Sequence, residues 1–277
     1  MKASAFAYRR AESAEHAVAL FAEAGDGAQY LAGGQSLVPT LNFRLGQPGT
    51  LIDLTRIGAL KGVSEAKGSV RIGALTTHAE VARNAVVRDS LPLVAEAYSH
   101  VAHPAIRNRG TIGGSIALGD PASEMPACML ALGATIHLLG HGGARTVAAD
   151  DFYHGLYDNA LEEGDLVTAI EVPVPAAGSR HAFAELARRH GDYAMAGLAM
   201  TASDGRARIA FFGISDRAVR SPAAEEAFAA GATPADCAAR ATEGLDVFGD
   251  LNAGESTKRH LAGVLLKRAL ERLAAGA

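Results

Sequence analysis

Cysteine is scarce: Cys128 and Cys237 are the only two in 277 residues. They draw neither a disulfide framework nor a C-x-x-C pair, which suits a reducing compartment. An iron–sulfur cluster takes four cysteine ligands as a rule, so this chain by itself does not hold one. Long apolar runs are missing too, and none is long enough to span a bilayer. The N-terminus, Met1-Lys2-Ala3-Ser4-Ala5-Phe6, turns polar at Arg9-Arg10-Ala11-Glu12 and lacks the apolar stretch of a signal peptide, so a soluble, cytoplasmic protein is expected. No basic face for nucleic acid stands out, since 26 Lys and Arg are scattered among 30 acids for a net charge of −4. There is no H-E-x-x-H among the 10 histidines, no G-x-S-x-G around Ser36 or Ser115, no G-x-G-x-x-G, and no P-loop lysine. A histidine metal site, a serine hydrolase, a standard NAD domain and a P-loop NTPase are all disfavoured.

What is present is an ordinary globular composition, 49% hydrophobic and 20% charged, with enough length for a real core. Strand-like and helix-like segments alternate. Ser4–Tyr8 reads as a short strand, and Ser13 as the cap of a helix that Gly25 ends. Gln29–Ala32 reads as a strand running into Gly33-Gly34. Val70–Leu75 predicts another strand, followed by a capping box at Thr77-His78-Ala79-Glu80. Asp120-Pro121 reads as an N-cap with proline at N1, opening a helix that stops at Gly133. Ala134–Leu139 and Val167–Val172 are further strands. Pro173–Ser179 is the best linker candidate, and beyond it Asp204-Gly205 predicts a hairpin between strands at about Met195–Ala202 and Arg206–Ile214. Helices at Pro222–Ala230, from Thr233-Pro234, and around Leu261–Leu270 complete an α+β chain with a larger front region and a smaller C-terminal domain.

Two segments suggest chemistry. In Leu31-Ala32-Gly33-Gly34-Gln35-Ser36-Leu37, adjacent glycines at a strand end allow a sharp turn that aims several N–H groups at one point. Such an array suits phosphate, and three or four charge-assisted hydrogen bonds at roughly 1.5–3 kcal/mol each would anchor a dinucleotide. The plainer reading is a tight strand–helix turn with no ligand. Arg107-Asn108-Arg109-Gly110-Thr111-Ile112-Gly113-Gly114-Ser115 repeats the design, with acidic residues at Asp120 and Glu124 downstream. Two phosphate turns suit a pyrophosphate, and a carboxylate suits a ribose hydroxyl. A third segment, Arg188-Arg189-His190-Gly191-Asp192-Tyr193, is either a polar loop or a place where tyrosine lies against a planar ring and Asp192 bonds its polar edge.

Ala32 to Leu37 with Pro39, Thr111 to Ser115 with Asp120-Pro121 and Glu124-Met125-Pro126, and Arg188 to Ala194 together resemble the FAD-binding medium subunit of molybdenum hydroxylases. That group contains aerobic carbon monoxide dehydrogenase and the xanthine dehydrogenases. The resemblance runs over the whole chain. It implies a vanillyl-alcohol-oxidase/PCMH-type FAD-binding domain over residues 1–175, made of two α/β subdomains at about 1–55 and 56–175. A C-terminal flavoprotein domain of sheet and helices would follow over 176–277. It also implies that Ala32, Gly33, Gly34, Gln35, Ser36, Leu37, Thr111, Ile112, Gly113, Gly114 and Ser115 wrap the pyrophosphate, with Glu124 on the ribose side. Val101 and Ala102 would line the cofactor, and Val167, Asp192 and Tyr193 would stand near the isoalloxazine. Position 115 is often Asn in the family, and here is Ser. The flavin-contacting lysine of xanthine dehydrogenases has no counterpart near Ala184 or Glu185, which weakens a case for NAD as acceptor. Gln35 stands where covalent flavoproteins of the wider superfamily place a linking histidine, so FAD is expected to be non-covalent.

The family's scheme gives this chain no catalytic base and no metal. Electrons would come from the [2Fe–2S] clusters of a small iron–sulfur subunit, after substrate oxidation on a large molybdopterin subunit. They would be stored on FAD and passed to a quinone, O₂ or a nicotinamide, in a dimer of heterotrimers. The alternatives are a self-sufficient flavin oxidase or dehydrogenase, for which the sequence offers no clear base beyond mobile candidates such as His190, and a nucleotide-binding or regulatory protein with a non-redox ligand.

Overall fold

A computed structural model of the chain describes residues 2–275, so Met1 of the N-terminal reading lies outside the described residues. The first unit comprises β1 (Ala7–Arg10), α1 (Ala14–Ala24), β2 (Ala28–Leu31), α2 (Leu37–Asn42) and β3 (Thr50–Asp53). Its strands run parallel in the order β1-β3-β2. The Ser13 hydroxyl accepts the His16 N–H, and Gly25 at φ 67° ends α1. The apolar face of that helix, with Ala17 and Leu20, is buried over Ile52 and Leu54. β1 lies further along than the expected Ser4–Tyr8, because the ladder with β3 sets Ala7 opposite Thr50 and Arg10 opposite Asp53.

The second unit opens with the hairpin β4 (Val63–Ala66) and β5 (Ser69–Gly73). A helical run follows: α3 (His78–Arg83), α4 (Ala85–Ser90), α5 (Pro92–Ala97), α6 (Pro104–Arg107), α7 (Ile112–Leu118) and α8 (Glu124–Leu132). It closes with β6 (Thr135–Gly140), β7 (Gly143–Ala148), the small pair β8 (Tyr153–Gly155) and β9 (Asp158–Asn159), and β10 (Leu166–Pro173). Five strands pair antiparallel in the order β4-β5-β10-β6-β7. The expected capping box is formed at Thr77 and Glu80, in both directions. The helix expected from Asp120-Pro121 instead begins at Glu124. Gly119 at φ 61° ends α7 immediately before, and the Asp120 Oδ1 accepts the Ala122 N–H in a local turn before the next helix opens.

β11 (Arg180–Ala187), β12 (Ala194–Ser203), β13 (Arg206–Phe212) and β14 (Val219–Arg220) form an antiparallel meander. Asp204 and Gly205 turn its central hairpin with positive φ at both positions, as a tight hairpin demands. α9 (Pro222–Ala229), α10 (Pro234–Ala239) and α11 (Glu255–Ala274) cover one face with their own core. The other face packs on α8, which is buried along its whole length. Phe183, Ala199, Ala210 and Phe212 of this sheet join Ile136 and Ile170 of the five-stranded sheet in one cluster around α8. A helix that is apolar on every side belongs between layers, and this one fastens the C-terminal sheet to the front region. The architecture is the mixed, two-part front region plus sheet-and-helix C-terminal region expected for this sequence.

Candidate functional site

The two glycine motifs meet. β2 ends at Leu31 and the chain turns through Gly33 and Gly34, the latter at φ 73°, into α2. A Cβ on Gly33 would stand 2.8 Å from Gly110 Cα and closer still to the Arg109 carbonyl oxygen, so backbone lies on backbone and only glycine fits. Among the described residues, the N–H groups of Gly33, Gly34, Gln35, Ser36 and Leu37 donate to no group of the chain. The Gln35 side chain folds back, its Nε2 donating to the Gly33 carbonyl at 3.0 Å. Between the motifs is a cavity of about 230 Å³ lined by Ala32, Gly33, Thr55, Thr77 and Thr111. Lys61 and Arg109 also line it, and neither is in an ion pair among the described residues. Free N–H donors beside two unpaired cations are the groups an anion would need.

The second motif is built differently from the first. Thr111 caps α7, its hydroxyl accepting the Gly114 N–H at 3.2 Å. The Ile112 N–H donates to Thr76 O at 3.1 Å and the Gly113 N–H to Ala74 O at 2.9 Å. The Ser115 N–H donates to Thr111 O. This turn therefore offers hydroxyls and a bare surface more than N–H donors. Gly113 is wedged on Ala74, whose oxygen is 2.7 Å from its would-be Cβ, while the open side of Gly114 meets only Thr111 Oγ1 at 3.0 Å. Ser115 Oγ lies 3.1 Å from Ser123 Oγ.

A second wall comes from two turns that touch. Ala102 holds φ 43°, and Arg107 Nη1 donates to the carbonyls of Val101 at 2.6 Å and Ala102 at 2.9 Å. Gly191 sits against Ala102, its would-be Cβ 2.8 Å from the Ala102 oxygen, which brings the Asp192-Tyr193 turn beside Val101-Ala102. Tyr193 is 68% exposed. Partial burial raises its pKa, and the charges of Asp120 and Glu124 raise it further. Glu124 opens α8 and is 8% exposed; burial pushes its carboxyl up to about 7, with Asp120 adding. The Tyr157 hydroxyl donates to Asp120 Oδ2 at 3.3 Å.

The structure thus gathers Ala32 to Leu37 with Thr111, and Val101 and Ala102 with Asp192 and Tyr193. Ile112 and Gly113 are buried behind the second turn, with Gly114 exposed at its edge. Val167 is 5% exposed on β10 and belongs to the main core with Ile112 and Ile116, inside the wall rather than on its surface. Sequence reasoning missed Lys61 and Thr55, which stand alone in sequence, and quoted Arg107 in the second motif without its clamp on the Val101 and Ala102 carbonyls, which only the fold brings within reach.

Residues 4–175 match the family described as the FAD binding domain in molybdopterin dehydrogenase, and residues 181–273 the CO dehydrogenase flavoprotein C-terminal domain. The chain belongs to this molybdopterin-dehydrogenase flavoprotein family. It is 41% identical to the carbon monoxide dehydrogenase medium chain of Afipia carboxidovorans, over 98% of each chain. It is 37% identical to the caffeine dehydrogenase subunit beta of a Pseudomonas species, covering 99% of this chain and 96% of that one. Among solved structures, a carbon monoxide dehydrogenase from Hydrogenophaga pseudoflava superposes with a TM-score of 0.95 at 39% identity, over 99% of both chains. The chain is an FAD-bearing, medium-type subunit of an oxidoreductase of the molybdenum hydroxylase class.

Proposed function

We propose that this subunit relays electrons from the [2Fe–2S] clusters of a small partner to an external acceptor, substrate oxidation taking place on a large molybdopterin subunit. The observation that carries the cofactor placement is the row of unpartnered N–H groups at Gly33 to Leu37, which starts at the wall of a cavity that Lys61 and Arg109 also line. That donor set fits the FAD diphosphate, and the missing side chain of Gly114 leaves room beside it. Thr111 and Ser115 add hydroxyls, and Glu124, able to donate or accept at neutral pH, suits a ribose. Val101, Ala102, Asp192 and Tyr193 would flank the isoalloxazine, with Val167 supporting from within the core. FAD, when bound, supplies the exchange between one-electron donors and a two-electron acceptor. The protein's part is to hold it, to keep Tyr193 over the ring face, and to exclude stray reactants. Gln35 carries no nucleophilic ring nitrogen, so the cofactor is held non-covalently. The buried free thiols of Cys128 and Cys237 suit a cytoplasmic setting, and a dimer of heterotrimers is the assembly we expect. Affinity purification of the tagged chain from its native cells, with flavin, iron and molybdenum quantified, tests this. FAD eluting with iron, molybdenum and two further chains supports the relay. FAD without metals or companions makes the protein a self-contained flavoenzyme, and a colourless preparation that refuses added FAD overturns the site.

A further inference from the structure

On β11, alternate side chains face opposite ways: Ala182 joins the C-terminal core, whereas Phe183 faces the front region. Glu185 shares the face of Phe183. Its side chain is 3% exposed, and its Oε2 is buried without any hydrogen-bond partner. A buried, unsatisfied carboxylate oxygen is costly, and a fold keeps one where a proton is stored or a partner arrives. His100 Nδ1 lies 3.9 Å from that oxygen, beyond hydrogen-bond distance. The His100 ring lies 5.0 Å from Phe183 and stacks on His190 at 5.9 Å between ring centres. His100 directly precedes Val101-Ala102, and His190 belongs to the turn that carries Asp192 and Tyr193. Glu185, His100 and His190 therefore form a line from the buried seam behind the proposed ring site to the exposed loop.

We propose that Glu185 is a proton reservoir for the flavin side of the site, connected to solvent through His100 and His190. Glu185 releases one proton to the cofactor as two electrons arrive from the partner's iron–sulfur centres. Its carboxylate is refilled from solvent through the imidazoles. When the acceptor removes the electron pair, the proton returns by the same route. Burial pushes the Glu185 carboxyl up to about 8, with the charge of Glu124 on α8 adding, so it is protonated at neutral pH. Burial lowers the His100 pKa and His190 lowers it further, so its neutral ring can pass a proton between its two nitrogens. The other charged groups packed around this line are Glu96 on α5, which raises His100, and His181 and Arg272, which lie 3.7 and 3.2 Å from Glu96. Those two occupy Glu96 and leave Glu185 to His100.

This inference rests on the flavin reading above, and the test separates the two. Infrared difference spectra of the full chain without FAD, titrated through pH 8, read the protonated carboxyl directly. Glu124 also absorbs as a carboxylic acid near pH 7, so the reading is the wild-type minus Glu185→Gln difference: a carboxylic-acid band at pH 7 in that difference is expected, and its absence overturns the proposal whatever the chain binds. With FAD loaded, potentiometry in wild type shows a break in the pH dependence of the midpoint potential near pH 8. Glu185→Gln abolishes that break, and Glu185→Asp restores it at a shifted pH. Reduction by dithionite slows on the order of a hundredfold in Glu185→Gln. It slows in His100→Gln too, with the potential unchanged. An unaltered break and unaltered rates in both variants overturn the relay, while failure to bind FAD at all refutes the flavin reading instead.

Discussion

Replacing Gly33 by alanine probes the contact on which the proposed diphosphate cradle depends. The added methyl would lie 2.8 Å from Gly110 Cα and 2.9 Å from the Arg109 carbonyl carbon. Carbon atoms prefer about 3.5–4.0 Å. Both obstacles are backbone, so no side chain can swing aside and the two turns must part by about an ångström, close to the gap the methyl needs. Hydrogen bonds from N–H to oxygen hold only over about 2.7–3.2 Å, so a shift of that size breaks the alignment of donors to a fixed anion. Losing two charge-assisted bonds at roughly 1.5–3 kcal/mol each weakens FAD binding by ~3–6 kcal/mol, or ~10²–10⁴-fold in Kd. Overpacking should also lower stability by about 1–3 kcal/mol. Fluorescence titration of FAD into the full chain gives the affinity, and urea unfolding of the FAD-free chain gives the stability. Gly114→Val is the informative companion. Its position is open apart from Thr111 Oγ1 at 3.0 Å, so it should leave the FAD-free stability within about 1 kcal/mol while the purified protein carries no flavin. A Gly33→Ala protein with wild-type FAD affinity would refute the reasoning, because the cradle would then not depend on the meeting of the two turns.

Lys61→Ala and Arg109→Ala should each weaken FAD binding about tenfold, the loss shrinking at high salt as exposed charges are screened. Titration at two ionic strengths checks this, and a salt-independent loss would argue against a direct charge effect. Arg107→Ala releases the Val101 and Ala102 carbonyls and should cost about 2 kcal/mol in urea unfolding, with a shifted flavin absorption spectrum when FAD is bound. His78, beneath the second glycine turn, is buried and its pKa is lowered to about 4, by desolvation first and then by the charge of Arg107. Its folded value lies below the unfolded one of about 6.5. The chain should therefore lose up to ~3 kcal/mol of stability as pH falls from about 6.5 to 4. Urea midpoints across that range should fall less in His78→Gln than in wild type, and parallel curves would reject the assignment.

Features written in neighbouring residues are legible in the sequence alone. Ser13 and Gly25 around α1, the Thr77–Glu80 box, Thr233 before Pro234 and the Asp204-Gly205 hairpin all act within a few residues of themselves, through caps and positive φ. Where a local signal has a competitor, it misleads. Asp120-Pro121 resembles a helix start, yet Gly119 has just ended α7 and the Asp120 side chain closes a turn instead. β3 and β11 carry no comparable local mark, because such strands are defined by partners distant in sequence, Asp53 by Arg10 and Glu185 by Gly197.

The same division runs through the site. Read alone, the residues predict two glycine turns suited to phosphate, show too few cysteines for an iron–sulfur set within the chain, and carry the family resemblance. Only folding brings the turns into contact at Gly33 and Arg109, leaves the first with free N–H groups and the second without, sets Lys61 on the cavity between them, and closes Arg107 on the Val101 and Ala102 carbonyls. It also decided that Glu185 is buried beside His100. Caps and glycine turns are settled between adjacent backbone groups, whereas burial, close approach and shared charge arise between segments that only the folded core brings together.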